Sequence, residues 1–237
     1  MHHQAPREDD LITGRPGAWR PRGRTGVCWL ACLVALLVAL AGCGESPDAT
    51  PADNGGEEAL TPLEITEEAI LAADGRKLLA LSALPDEVRV DAEASFSAAD
   101  RFTEASLAPD EEWLAVATAG VAHGAGWLLP LDGDEPVAVA FQYGGGVSLG
   151  PWREDGRYLV FALEGPAPGR TLVLVSRDAL GQSVAESARP VRLPEHGAQV
   201  PPGTEYRALA WRGEELRFEV EGEPWRLDPV SGEVVAD

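Results

Sequence analysis

Lysine is almost missing from this chain: Lys77 stands alone among 19 basic residues in a sequence of 237. Acidic residues number 39, for a formal net charge of −20. Five of the basic and three of the acidic residues precede Cys43, so the remainder carries a net −22. A surface of that sign repels phosphate backbones and anionic lipid, which excludes nucleic-acid binding and favours basic partners. Cysteine is scarce as well. The three are Cys28, Cys32 and Cys43, and the first two lie inside an apolar run. If that run is removed, no intramolecular disulfide can form and stability must come from packing. Beyond position 42 there are only two histidines, His123 and His196. Neither has a second His or Cys at ligand spacing, which argues against a zinc site. The chain also lacks an apolar stretch of the roughly 20 residues that span a bilayer.

The longest apolar run, Val27 to Leu40, covers 14 residues. Arg15, Arg20, Arg22 and Arg24 precede it, and Leu40-Ala41-Gly42-Cys43 closes it. A positive stretch, a short apolar core and small residues before a cut form a secretory signal. No Arg-Arg pair precedes the run, so the twin-arginine route is not indicated. Leu-Ala-Gly-Cys resembles the lipobox of bacterial lipoproteins. The resemblance implies that 1–42 is a signal peptide and that Cys43 becomes the first residue and carries lipid such as palmitate. It implies a membrane-tethered protein of the cell envelope. Gly44 follows the cysteine where Asp would signal retention at the inner membrane. The resemblance therefore implies the outer membrane, facing the periplasm, in a Gram-negative host. Residues 43–62 hold Pro, Gly, Asp, Asn and Glu with little to bury, and read as a flexible acidic linker.

The segment 63–237 has the length of one domain. Glu64 to Ala73 reads as a short helix or a first strand. Asp91 to Ala108 and Asp178 to Ala188 each have room for a helical turn. From Leu78 onward, apolar runs of five to eight residues alternate with Gly, Pro and Asp turns. They include Trp113 to Thr118, Trp127 to Leu131, Val137 to Phe141, Tyr158 to Leu163, Thr171 to Ser176, Glu215 to Val220 and Pro224 to Leu227. Such spacing predicts an all-β fold. Asp74-Gly75-Arg76, Asp110-Glu111-Glu112, Asp155-Gly156-Arg157 and Arg212-Gly213-Glu214 each precede a strand, at intervals of 36, 45 and 57 residues, near the scale of propeller blades. Ala108-Pro109-Asp110-Glu111-Glu112-Trp113-Leu114-Ala115-Val116 resembles the repeat signature of WD-like periplasmic propellers. The resemblance implies about four propeller-like antiparallel units.

Tyr158 to Leu163 and Thr171 to Val175 are apolar on both faces, as in sheets covered on two sides. Leu216, Phe218 and Val220 instead alternate with Arg217, Glu219 and Glu221, and Val88 and Val90 with Arg89 and Asp91. The outer units are thus expected to be half-exposed. That pattern fits an open or partial propeller, stacked sheets or a β-sandwich as well as a closed ring.

Gly146-Val147-Ser148-Leu149-Gly150 matches G-x-S-x-G, and Asp178 and His196 follow in the order Ser, Asp, His. A hydrolase of that type needs its serine on a strand-to-helix turn. Pro151 and Trp152 follow here instead, so Tyr143 to Gly150 reads as a glycine-rich connection. Asp132-Gly133-Asp134-Glu135 offers oxygen ligands suited to Ca²⁺ but lacks the rest of a calcium loop. Trp113, Trp127, Trp152, Trp211 and Trp225 are expected between sheets. His123 and His196 are expected on surface loops. The reading is a non-catalytic binding or scaffolding module without cofactor or metal. Its partner would be an envelope protein or polysaccharide. Its contact surface would lie in the loops Tyr143 to Gly150 and Gln182 to Thr204, with Tyr143, Trp152, His123 and His196 as candidates. A serine hydrolase built on Ser148 and His196, and a Ca²⁺-binding structural domain, are the alternatives.

Overall fold

The computed structural model describes residues 60–237, apart from 98, 168 and 198. The proposed signal peptide, Cys43 and all but the last residues of the proposed linker lie outside the described residues. Leu60 is buried, and its carbonyl accepts the N–H of Ala73.

Alternating apolar residues and turn signals give strands throughout. In chain order they are β1 (Glu64–Ile65), β2 (Ala69–Leu71), β3 (Lys77–Ala80), β4 (Glu87–Arg89), β5 (Ser95–Ser97), β6 (Arg101–Leu107), β7 (Trp113–Ala119), β8 (His123–Pro130) and β9 (Val137–Tyr143). They continue as β10 (Gly146–Trp152), β11 (Tyr158–Glu164), β12 (Arg170–Ser176), β13 (Ala188–Val191), β14 (Tyr206–Arg212), β15 (Glu215–Val220), β16 (Glu223–Leu227) and β17 (Val234–Ala236). One short helix, α1 (Val184–Ser187), precedes β13.

All pairings between these strands are antiparallel. Three sheets are four-stranded meanders in sequence order: β6 to β9, β10 to β13, and β14 to β17. A three-stranded sheet, β1 to β3, and the hairpin β4–β5 precede them. The units are therefore propeller-like blades, three regular and one reduced, as the repeat spacing predicts. The possible helix over Glu64 to Ala73 is instead β1 and β2, and Asp91 to Ala108 carries β5 and β6. Short apolar β-formers there pair across the sheet rather than closing a helical turn.

The sheets form layers, and strand alternation builds the cores between them. Along β7, Leu114 and Val116 face the β1–β5 side, and Ala115 faces the sheet of β10 to β13. Along β11, Leu159 and Phe161 face β6 to β9, whereas Val160 faces β14 to β17. Leu172 and Leu174 of β12 join the second of these cores, and Val173 and Val175 join the first. The two central sheets are thus covered on both faces.

The sheet β14 to β17 buries Leu216, Phe218 and Val220 on one face. On the other, Arg207 pairs with Glu219, Arg217 with Glu215 and Asp237, and Arg226 with Glu215. This is the half-exposed outer unit that the alternation predicts.

The repeated turn motif has a common geometry. Gly75, Glu111, Gly156 and Gly213 occupy the same place in the four turns, and each has positive φ, from 55° to 82°. The backbone keeps the left-handed step where the sequence replaces Gly by Glu111. Asp74, Asp110 and Asp155 each accept a backbone N–H two residues on, the Asx turn that fixes the bend. At Gly156 an added Cβ would also lie 2.8 Å from Asp110 Oδ2, the acceptor of Arg177 across the sheet interface. Gly156→Ala is therefore expected to cost about 1–2 kcal/mol. Gly213→Ala has the same φ problem but open space around it. It should cost less, and paired thermal melts read the difference.

Candidate functional site

The glycine-rich connection is much shorter than its sequence suggests. Strand β9 runs to Tyr143 and β10 begins at Gly146, so Tyr143 to Gly150 is a tight turn followed by a strand, not a loop. The glycines lie at close approaches. A Cβ on Gly145 would overlap the carbonyl oxygen of Glu164, and one on Gly124 would lie 2.7 Å from the backbone N of Val147. Strand periodicity does not distinguish such packing glycines from loop glycines. The loop Gln182 to Thr204 is likewise partly ordered, by α1, β13 and a 3₁₀ turn over Pro194–His196. The helical turn expected within Asp178 to Ala188 is there, as α1.

The G-x-S-x-G serine is part of β10. Ser148 stands opposite Ala162 of β11, not on a strand-to-helix turn. Asp178 is held by Arg157, whose Nε donates to Oδ2 at 2.7 Å, and His196 Nδ1 lies 2.7 Å from Tyr206 Oη. These contacts engage Asp178 and His196 elsewhere, and Ser148 has no nucleophile-elbow geometry, so the triad reading is corrected. Among the described residues, no group of three or more His, Cys, Asp or Glu side chains is gathered as a metal site. Asp132 to Glu135 fall in the turn between β8 and β9.

His123 is not a surface residue. It opens β8, is 5% exposed, and packs against Phe141 with ring centroids 5.3 Å apart. Phe96 of β5 stacks on Phe141 at 4.5 Å and reaches Tyr143 at 5.8 Å. Tyr143 pairs across the strands with His123 and is 59% exposed. The nearby Val121, in the turn before β8, is more exposed still. The sequence candidates His123 and Tyr143 are thus brought together in one ring cluster at the rim of the sheet. Phe96 and Phe141 complete it. Sequence reasoning missed Phe96, because contact between β5 and β9 spans two sheets and leaves no local periodicity.

Trp152 lies apart from that rim. It packs on the core between the two central sheets. Trp113 packs on the same core, Trp127 on the core facing β1 to β5, and Trp211 and Trp225 on the core facing β14 to β17. Polar contacts stitch the layers at the irregular step of β10. Glu104 of β6 accepts the N–H of Leu149 at 2.7 Å, and the Trp211 indole N–H donates to the carbonyl of Pro151 at 3.0 Å. A β-bulge disturbs the ladder locally, and side chains from both neighbouring sheets bond the backbone there. Beside it, Arg153 holds the Asp155 carboxyl below the usual carboxylate range through a side-chain hydrogen bond.

His196 lies in a third place, on a groove of about 450 Å³ lined by Glu195, Glu221, Glu223 and Trp225. The four sequence candidates therefore occupy three separate locations. Among them, Tyr143 combines wide exposure with a rigid ring support.

Blade-like meanders stacked into layers, with an aromatic rim, define an all-β propeller-like protein. No protein-family model matches this chain, and no curated protein matches it. Solved structures similar to it include a putative TolB from Agrobacterium tumefaciens, at 14% identity and TM-score 0.40, covering 73% of this chain and 56% of that one. TolB from Acinetobacter baumannii is similar at 12% identity and TM-score 0.39, covering 71% of this chain and 36% of that one. Oligopeptidase B from Trypanosoma brucei, with covalently bound antipain, is similar at 10% identity and TM-score 0.28, covering 73% and 32%. This chain thus spans about half the length of the first and about a third of the other two. Among the described residues, no helix is long and apolar enough to cross a membrane.

Proposed function

We propose that this protein is a lipid-anchored envelope module, tethered through Cys43, that binds a protein partner and performs no chemistry itself. In a Gram-negative host it stands on the outer membrane and faces the periplasm. The tether rests on Leu40-Ala41-Gly42-Cys43 and the signal before it. The residues between Cys43 and Leu60 act as the spacer. Binding rests on one observation: Tyr143 is 59% exposed on a support of Phe96, Phe141 and His123. A rigid aromatic ring at a rim provides contact area at low entropic cost, the usual property of an interface anchor. The net negative charge favours a partner with a basic surface.

The test places a photo-crosslinking phenylalanine analogue at position 143 of the full lipoprotein in its native envelope. A protein adduct at position 143 is expected, with none from position 152, and the adduct should be lost in Cys43→Ala. Equal adducts from both positions, or adducts indifferent to the anchor, would refute the reading. A polysaccharide adduct would replace protein by glycan as the partner.

A further inference from the structure

Beside the buried Leu193 side chain, which shares a core with Tyr206 and Leu216, one hydroxyl group supplies the polar tie between the 3₁₀ turn Pro194–His196 and the sheet of β14 to β17. Tyr206 Oη accepts the N–H of Leu193 at 3.2 Å and lies 2.7 Å from His196 Nδ1. The two rings meet edge-on, with centroids 5.9 Å apart. Tyr206 is fully buried, and that burial pushes its phenol above the usual range, so the hydroxyl keeps its proton. A backbone N–H can only donate, so Leu193 occupies a lone pair of the oxygen and the phenol proton needs an acceptor. The acceptor within reach is Nδ1 of a neutral imidazole, which places the ring proton on Nε2. A proton added to Nδ1 removes that acceptor. It would aim a second donor at the oxygen and leave a buried O–H unpaired.

The groove outside provides a place for the displaced cation. Glu195 lies on the turn itself, Glu221 in the turn between β15 and β16, and Glu223 at the start of β16. Of the other charged groups nearby, Glu205 donates its backbone N–H to the Glu221 carboxylate at 2.6 Å, and Arg192 acts on Tyr206. His196 N–H is bonded back to Leu193 O at 3.0 Å, and Gly197 follows with a φ of 57° and open space at its Cβ position.

The geometry points to a proton-sensitive latch: neutral His196 holds the Leu193–Gly197 turn on Tyr206, and protonated His196 leaves Tyr206 for the acidic groove and frees the turn. The latch is closed when Nδ1 accepts the phenol proton and opens on acidification. Its test is amide hydrogen exchange at Leu193 in the purified full chain, at about pH 7.5 and about pH 5, corrected for the intrinsic exchange rate. The wild-type protection factor should fall about tenfold or more on acidification. In His196→Asn the side-chain oxygen can take the phenol proton but cannot be protonated, so protection should stay within about twofold. In Tyr206→Phe it should be low at both pH values. A wild-type change below about twofold overturns the proposal, and so does a full acid-induced fall in His196→Asn.

Discussion

Trp127→Ala is expected to lower stability by about 3–5 kcal/mol. The side chain is fully buried on β8, in the core shared with Ile70, Val88, Leu114 and Val116. Its indole N–H donates to Thr118 Oγ1 at 3.0 Å, and that hydroxyl donates in turn to the carbonyl of Ala125 at 3.2 Å. Removing the ring leaves a cavity that strands on both sides cannot close, because each is fixed by its ladder. Against a total stability of about 5–15 kcal/mol, the loss brings the fold near its limit. Trp127→Phe keeps most of the volume but loses the bond to Thr118 and part of the ring, so it should cost less, about 1–3 kcal/mol. Urea unfolding followed by far-UV circular dichroism measures both. A cost below about 1 kcal/mol for Trp127→Ala would show that this core does not hold the fold.

Gly145→Ala should be nearly as damaging, and its neighbour is the control. A Cβ at 145 would overlap the carbonyl oxygen of Glu164, a backbone atom that cannot rotate away. The turn between β9 and β10 must shift, and with it the approach of one central sheet to the other. Overpacking of this kind costs about 1–3 kcal/mol and sometimes more. Because the obstacle is main chain, the upper end is expected, a fall in Tm of about 6–12 °C at this chain length. Gly146→Ala meets nothing within 4 Å and should leave Tm almost unchanged. Equal melting temperatures for the two variants would contradict the packing of this turn.

The same contrast explains what the sequence made legible. Strand positions were readable because each is a local pattern. Tyr158 to Leu163 anticipates β11, Glu215 to Val220 matches β15, and Val137 to Phe141 falls within β9. The two-sided apolar character of β11 and β12 also identified the covered sheets, since burial on both faces removes alternation. The start of β8 was not readable. His123-Gly124-Ala125-Gly126 has the composition of a loop, but its glycines allow Val147 and Phe161 to approach closely. Turn and packing glycines differ only in what lies opposite them, and that is set by the three-dimensional fold. The rim cluster was half legible for the same reason: Tyr143 and His123 could be proposed as polar-aromatic candidates, whereas Phe96 joins them only through contacts between sheets.

The ion-paired face of β14 to β17 has a further consequence. In arrays built from repeated layers, each layer supports its neighbour, and an exposed apolar face invites another layer, from the same molecule or a second one. Arg207, Arg217, Arg226, Glu215, Glu219 and Asp237 satisfy one another on this face. Covering them would require stripping water from at least six charges, which opposite charges within a buried interface seldom repay. The face therefore serves as a cap. An array of sheets can end at such a face without a further layer.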